Sequence, residues 1–207
     1  MMHIRVRMDV KMGDSSNLQF DSQLKEIVIY GRGGQGAVTA AQLIAYAAFY
    51  DGKQSQAFPN FGVERRGAPV QAFCRISDNP INLRSQVYNP HYVIIFDSTL
   101  LKSVDLEKLY ENKGMLIINT NKKPSDLETN GVKTFTIDAS SMALEIFKSN
   151  IVNTAMVAAF SAFTLEISKE AVIKGLADVF TDKNLLAKNT KAVERIFEIC
   201  NNVKDRK

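Results

Sequence analysis

Apolar residues alternate along this chain between short continuous runs and longer stretches in which they return at every third or fourth position, and that alternation predicts strands interleaved with helices. The runs at 27–30, 92–96 and 115–118 are continuous enough to be strands covered on both faces, and 132–137 reads as another buried strand. Residues 53–58 and 70–76 read as two further strands. Helices are predicted over 37–50, where alanine dominates, and over 139–148, 154–165, 168–178 and 185–202. Asp138 is placed to cap the second of these, and Ser168-Lys169-Glu170 to open the fourth. Strands and helices that interleave through the first two-thirds, followed by a helical finish, predict an α/β domain with a mostly parallel sheet.

The pattern is weakest at the start. Ile4 to Val10 alternates apolar and charged residues like a half-exposed strand, and Gly13-Asp14-Ser15-Ser16-Asn17 then breaks it. Residues 1–25 therefore read as an N-terminal extension, either an extra edge strand or a disordered arm, with disorder favoured and Met8 and Met12 as alternative starts. Residues 26–207 form the domain proper. No apolar run approaches the roughly 20 residues that span a bilayer, and the charged N-terminus lacks a secretory h-region, so the cytoplasm is the expected compartment.

Composition narrows the chemistry. The 207 residues are 45% hydrophobic and carry a formal net charge of +4, spread without long basic blocks or interleaved aromatic residues, which gives no footing for nucleic-acid binding. Only 2 cysteines, Cys74 and Cys200, and 2 histidines, His3 and His91, are present, none in a ligand-spaced cluster. Iron–sulfur and zinc sites thus find no carriers here and histidine-based chemistry only a few, and no catalytic residue or metal ligand is expected in the chain.

The chemistry-bearing feature is Gly31-Arg32-Gly33-Gly34-Gln35-Gly36, between a predicted strand and the alanine-rich helix. Such a turn exposes backbone N–H groups at the positive end of a helix dipole. Three readings stay open. The spacing Gly31-x-Gly33-x-x-Gly36 matches the dinucleotide fingerprint, but the acidic residue at the right distance, Asp51, precedes the second strand and would lie at the far edge of the sheet. The glycines can serve a tight turn alone. Or the loop, with Arg32 beside it, takes a phosphorylated ligand or a partner at the carboxyl edge of the sheet. A Walker loop is excluded, because Ala37-Val38 stand where Lys-Ser/Thr is required.

A second loop, Gln56-Ala57-Phe58-Pro59-Asn60-Phe61-Gly62-Val63-Glu64-Arg65-Arg66-Gly67-Ala68-Pro69, is too rich in aromatic, charged and glycine residues for a generic linker. Together the two loops resemble the γ subunit or γ domain of the 2-oxoacid:ferredoxin oxidoreductases, pyruvate type above all, with further matches at Arg75-Ile76-Ser77-Asp78, Pro90 through Asp97, Ile118-Asn119-Thr120 and Asn153-Thr154-Ala155-Met156. His91 departs from that pattern, standing where an acidic residue is common.

The resemblance implies a Rossmann-like three-layer domain inside a complex that turns a 2-oxoacid and coenzyme A into acyl-CoA and CO2. Ferredoxin takes the electrons, and the α, β and δ parts hold thiamine diphosphate and iron–sulfur clusters. This chain, inactive alone, would offer Gly31, Arg32, Gly33, Gly34, Gln35 and Gly36 as a coenzyme A or anion loop. Phe58, Pro59, Phe61, Glu64, Arg65, Arg66 and Gly67 would form a subunit contact near the active site. The rival readings are a free-standing NAD- or FAD-binding oxidoreductase and a non-catalytic nucleotide-binding regulator.

Overall fold

The computed structural model describes residues 4–5, 24–60 and 67–204. Seven strands form one sheet: β1 (Ile4–Arg5), β2 (Lys25–Arg32), β3 (Gln54–Pro59), β4 (Pro69–Ser77), β5 (Tyr92–Ile95), β6 (Met115–Asn119) and β7 (Lys133–Ile137), in the order β1-β3-β4-β2-β5-β6-β7. The helices are α1 (Ala37–Tyr50), α2 (Leu106–Glu111), α3 (Ala139–Phe147), α4 (Asn153–Thr164), α5 (Lys169–Val179) and α6 (Lys183–Lys204). The α/β class expected from the sequence holds.

Strands β2, β5, β6 and β7 are joined by parallel ladders, and their side chains alternate between two cores as the strand period requires. On one face Ile27, Ile29, Ile94, Phe96 and Ile117 pack against α1 and the helices of the C-terminal half. On the other, Val28, Val93, Ile95, Leu116 and Ile118 meet Leu100 and Leu109, giving the third, thinner layer. Helix α4 is buried along nearly its whole length, consistent with its alanine, valine, methionine and phenylalanine content on every side.

The parallel arrangement is interrupted by β4. It lies between β2 and β3 and is antiparallel to both, so β3 keeps the direction of β2 without touching it. Its pairing with β2 runs to Arg32 opposite Pro69, which makes Gly31 and Arg32 strand residues rather than members of the turn. Short elements also differ from the sequence pattern. Helix α2 and a 3-10 turn at Ser98–Ser103 were not foreseen, because each places only one or two apolar residues on the sheet and depends on a local cap from Asp105 or Asp97. Of the extension at 1–25, Ile4–Arg5 pairs antiparallel with Gln56 and Ala57, and residues 24–25 lead into β2; the others lie outside the described residues. No helix among the described residues is long and apolar enough to cross a membrane.

One buried polar rung crosses the antiparallel strands. Arg75 of β4 stands opposite Glu26 of β2 and Gln56 of β3, and its side chain is only 1% exposed. Its Nε donates to Glu26 Oε1 at 2.8 Å, one Nη to Gln56 Oε1 at 3.2 Å, and the other to the carbonyls of Ser85 and Gln86. The guanidinium also lies 5.2 Å from the centre of the Phe58 ring. A buried charge with this many partners holds the 80–90 segment on the sheet, and truncating it strands Glu26. Arg75→Met is expected to lower stability by about 3 kcal/mol, against a smaller loss for Glu26→Gln, which keeps a hydrogen-bond acceptor; urea unfolding midpoints check both.

Candidate functional site

The glycine run occupies the carboxyl edge of the parallel strands. Beyond Arg32 the chain turns at once, with Gln35 N–H donating to the Arg32 carbonyl at 2.9 Å and Arg32 N–H donating to Gln35 Oε1 at 2.8 Å. Gly34 is the exposed tip. Gly36 precedes the first residue of α1 with φ at 81°, and a Cβ there would come 2.7 Å from Nδ2 of Asn153. Both the left-handed backbone and the missing side chain are therefore required, because the first residue of α4 is packed against it.

Two helices thus begin at one place. Neither N-cap residue, Gly36 of α1 or Val152 of α4, supplies a side-chain cap, so first-turn N–H groups and the positive ends of both dipoles converge near Gly36. Asn153 Oδ1 takes one of those donors, Thr154 N–H, at 2.8 Å. The Thr154 hydroxyl is buried and has no hydrogen-bond partner among the described residues. Such a group is costly to leave unmet in a finished site. The chemistry of this edge among the described residues, amide donors with a spare hydroxyl, suits a phosphate or carboxylate.

Arg32 does not stand free beside the loop. Its Nε donates to Asp97 Oδ2 at 2.5 Å, one Nη to the Gly67 carbonyl at 3.1 Å, and the other to Thr99 Oγ1 at 2.7 Å. Asp97 follows β5, and its second oxygen accepts from both the N–H and the hydroxyl of Thr99. Partial burial works to raise the Asp97 pKa, but the bonds from Thr99 and Arg32 outweigh it and hold the carboxyl below its ordinary value. One strand further, Asn119 Nδ2 donates to the Phe96 carbonyl and to Ser140 Oγ, while Asn119 Oδ1 accepts from Ser140 N–H. Thr99, Asn119, Asn153 and Thr154 belong to this edge although pattern reading did not select them as site residues. Their signal was position, just after a strand or at a helix start.

The two loops of the sequence meet here. Gly33 N–H donates to the Ala68 carbonyl at 2.9 Å and Gly67 N–H donates to the Gly33 carbonyl at 3.1 Å. Phe58 and Pro59 end β3, the Phe58 ring half-buried 5.3 Å from that of Phe73. Phe61, Glu64, Arg65 and Arg66 lie outside the described residues.

Other candidates are placed elsewhere. Asp51 follows α1, about 21 Å from the glycine loop by helix rise, and accepts from the N–H and hydroxyl of Ser168 at 2.6 and 2.7 Å, tying down the start of α5. The dinucleotide reading thereby loses its ribose partner. His91 accepts from Glu26 N–H at the opposite edge of the sheet, and burial and Lys25 lower its pKa. Cys74 is buried in β4, where desolvation pushes its thiol far up, and Cys200 is buried in α6. Among the described residues no three His, Cys, Asp or Glu side chains gather as a metal site.

Because the folded-state pKa of Asp97 is depressed, its contribution to stability is present above the ordinary carboxylate range and is lost as pH falls through the folded value. The Tm difference between the wild type and Asp97→Asn is therefore expected to be full above the ordinary carboxylate range and to shrink as pH falls below it, as a thermal unfolding series would show.

The chain matches the family model for pyruvate ferredoxin/flavodoxin oxidoreductase over residues 26–199. It is 56% identical over 169 residues to the pyruvate synthase subunit PorC of Methanocaldococcus jannaschii, covering 82% of this chain and 93% of that one. A protein of Thermococcus litoralis named the common gamma subunit of pyruvate/ketoisovalerate oxidoreductases is 45% identical over 177 residues, covering 84% and 95%. Among solved structures, the pyruvate oxidoreductase subunit PORC of Thermotoga maritima superposes with a TM-score of 0.73 at 35% identity, over 86% of this chain and 97% of that one. A fold shared over 86% of the chain, with this level of identity, makes the chain a gamma-type subunit of the pyruvate ferredoxin/flavodoxin oxidoreductase family.

Proposed function

We propose that this subunit works with α, β and δ parts to convert a 2-oxoacid, pyruvate first, and coenzyme A into acyl-CoA and CO2, two electrons passing to ferredoxin. Thiamine diphosphate and the iron–sulfur clusters belong to the partner parts, and the isolated chain is inactive. Its own contribution is a phosphate cradle for coenzyme A at Gly31, Arg32, Gly33, Gly34, Gln35 and Gly36, with a cytoplasmic setting. The observation that carries this reading is the convergence of two uncapped helix starts on Gly36, beside the buried, unmet hydroxyl of Thr154. Phe58, Pro59, Phe61, Glu64, Arg65, Arg66 and Gly67 form the contact with the partner parts. Phe73 and Arg75 support the Phe58 ring from beneath. Choice among 2-oxoacids lies in the partners, a division supported by the relative named as common to pyruvate and ketoisovalerate oxidoreductases.

Gly34 gives a clean test, because it is exposed and a Cβ there meets nothing within 4 Å. Gly34→Asp places a carboxylate over the cradle, whereas Gly34→Asn has nearly the same shape and tolerates the left-handed backbone equally well. In the reconstituted complex, Gly34→Asp is expected to raise the KM for coenzyme A at least about tenfold over Gly34→Asn, with the KM for pyruvate unchanged. Equal coenzyme A constants for the two variants would overturn the assignment.

A further inference from the structure

We infer that Arg32 is a positioning residue: its guanidinium clamps the start of β4 and the end of β5 to the glycine loop, and so sets where the loop's amides point. This inference rests on the reading of the loop as the coenzyme A cradle. An arginine inside a glycine loop invites the opposite assignment, that of a cation waiting for the ligand. The geometry argues against it.

The three bonded nitrogens of Arg32 reach two separate pieces of chain, the segment after β5 and the one before β4. Nε holds Asp97 after β5, one Nη holds the Gly67 carbonyl just before β4, and the other holds the Thr99 hydroxyl in the following 3-10 turn. A planar guanidinium bonded on three sides has little freedom to swing towards a ligand. Its charge is met at 2.5 Å by a carboxylate whose other oxygen is already saturated by Thr99. The pair is close to neutral from outside, so among the described residues attraction for an anion comes from the first-turn amides of α1 and α4.

The clamp also has something to hold. Gly67 donates to the Gly33 carbonyl and accepts from Arg32, while Gly33 donates to the Ala68 carbonyl. Gly33 and Gly67 therefore cannot part without breaking the Arg32 bond as well. Arg32, Asp97, Thr99, Gly33 and Gly67 form one closed circuit, in which the side chain of Arg32 spans what the backbone ladder between β2 and β4 leaves off at Arg32 opposite Pro69.

The two roles predict opposite signs for one substitution. If Arg32 only positions, Arg32→Gln and Asp97→Asn each break the circuit and each raise the KM for coenzyme A, about fivefold, with kcat within about twofold and the double variant no worse than either single one. Were Arg32 a ligand for the anion, Asp97→Asn would free its charge and lower that KM while Arg32→Gln raised it. Opposite signs, or additive losses, overturn the proposal.

A second readout needs no coenzyme A. In the assembled complex without ligand, hydrogen exchange at the Gly33 and Gly67 amides should quicken in both variants, and unchanged exchange overturns the clamp. Quickened exchange with coenzyme A constants unmoved in these variants and in Gly34→Asp supports the clamp and removes the coenzyme A reading instead. Should Arg32→Gln fail to assemble, Thr99→Val removes one arm of the circuit and is expected to act with the same signs.

Discussion

The antiparallel ladder between β2 and β4 is the constraint on which the glycine-loop edge depends. Four parallel strands with helices over them would make a carboxyl edge of separate loops, each free to follow its own helix. Placing β4 against β2 along its whole length, as far as Arg32 opposite Pro69, brings the end of the second loop to the first. The bonds between Gly33, Gly67 and Ala68 continue that ladder past the strand ends. Two stretches more than 30 residues apart in sequence consequently behave as one wall. The buried Arg75 rung anchors the other end of the same ladder through Glu26.

The site's electrostatics rest on the backbone. Arg32 is matched by Asp97, so among the described residues positive potential at this edge comes from the starts of α1 and α4. Amides in a rigid turn are already oriented when an anion arrives, and they bring no mobile side chain that must first be ordered. Burial of α4 on nearly every side fixes its first residue against Gly36, which keeps the two helix starts in register. Packing in the core is thus translated into donor geometry at the surface.

Much of this was legible from residues alone. Continuous apolar runs located β2, β5 and β6, and the alanine-rich and amphipathic stretches located α1 and α3 to α6 within a few residues; β7 lies where a buried strand was expected but is an edge strand with Lys133 exposed. The far-edge placement of Asp51 followed from its position before β3, and its bonds to Ser168 agree. Arg32 shows where such reading stops. Pattern placed it beside free N–H groups as an anion partner, yet its actual partners, Asp97 and Thr99, lie about 65 residues away. Asn153 and Thr154 carry only a family resemblance in the sequence, since an Asn-Thr pair at a helix start says nothing of which other helix begins beside it.

By itself the sequence determined the strand and helix periods, the turn that only glycine can make at Gly36, the lack of ligand-spaced cysteine or histidine clusters, and, through two ordered motifs, the family. These follow from local sterics and from residue type. The tertiary structure alone decided that β4 enters antiparallel between β2 and β3, that α1 and α4 start together, and that Arg32 is bound on three sides. Each is a long-range contact, and its physical reason is the same: which strand edges pair and which helix ends meet depends on burying both faces of one sheet at once, a condition no single stretch of chain can carry.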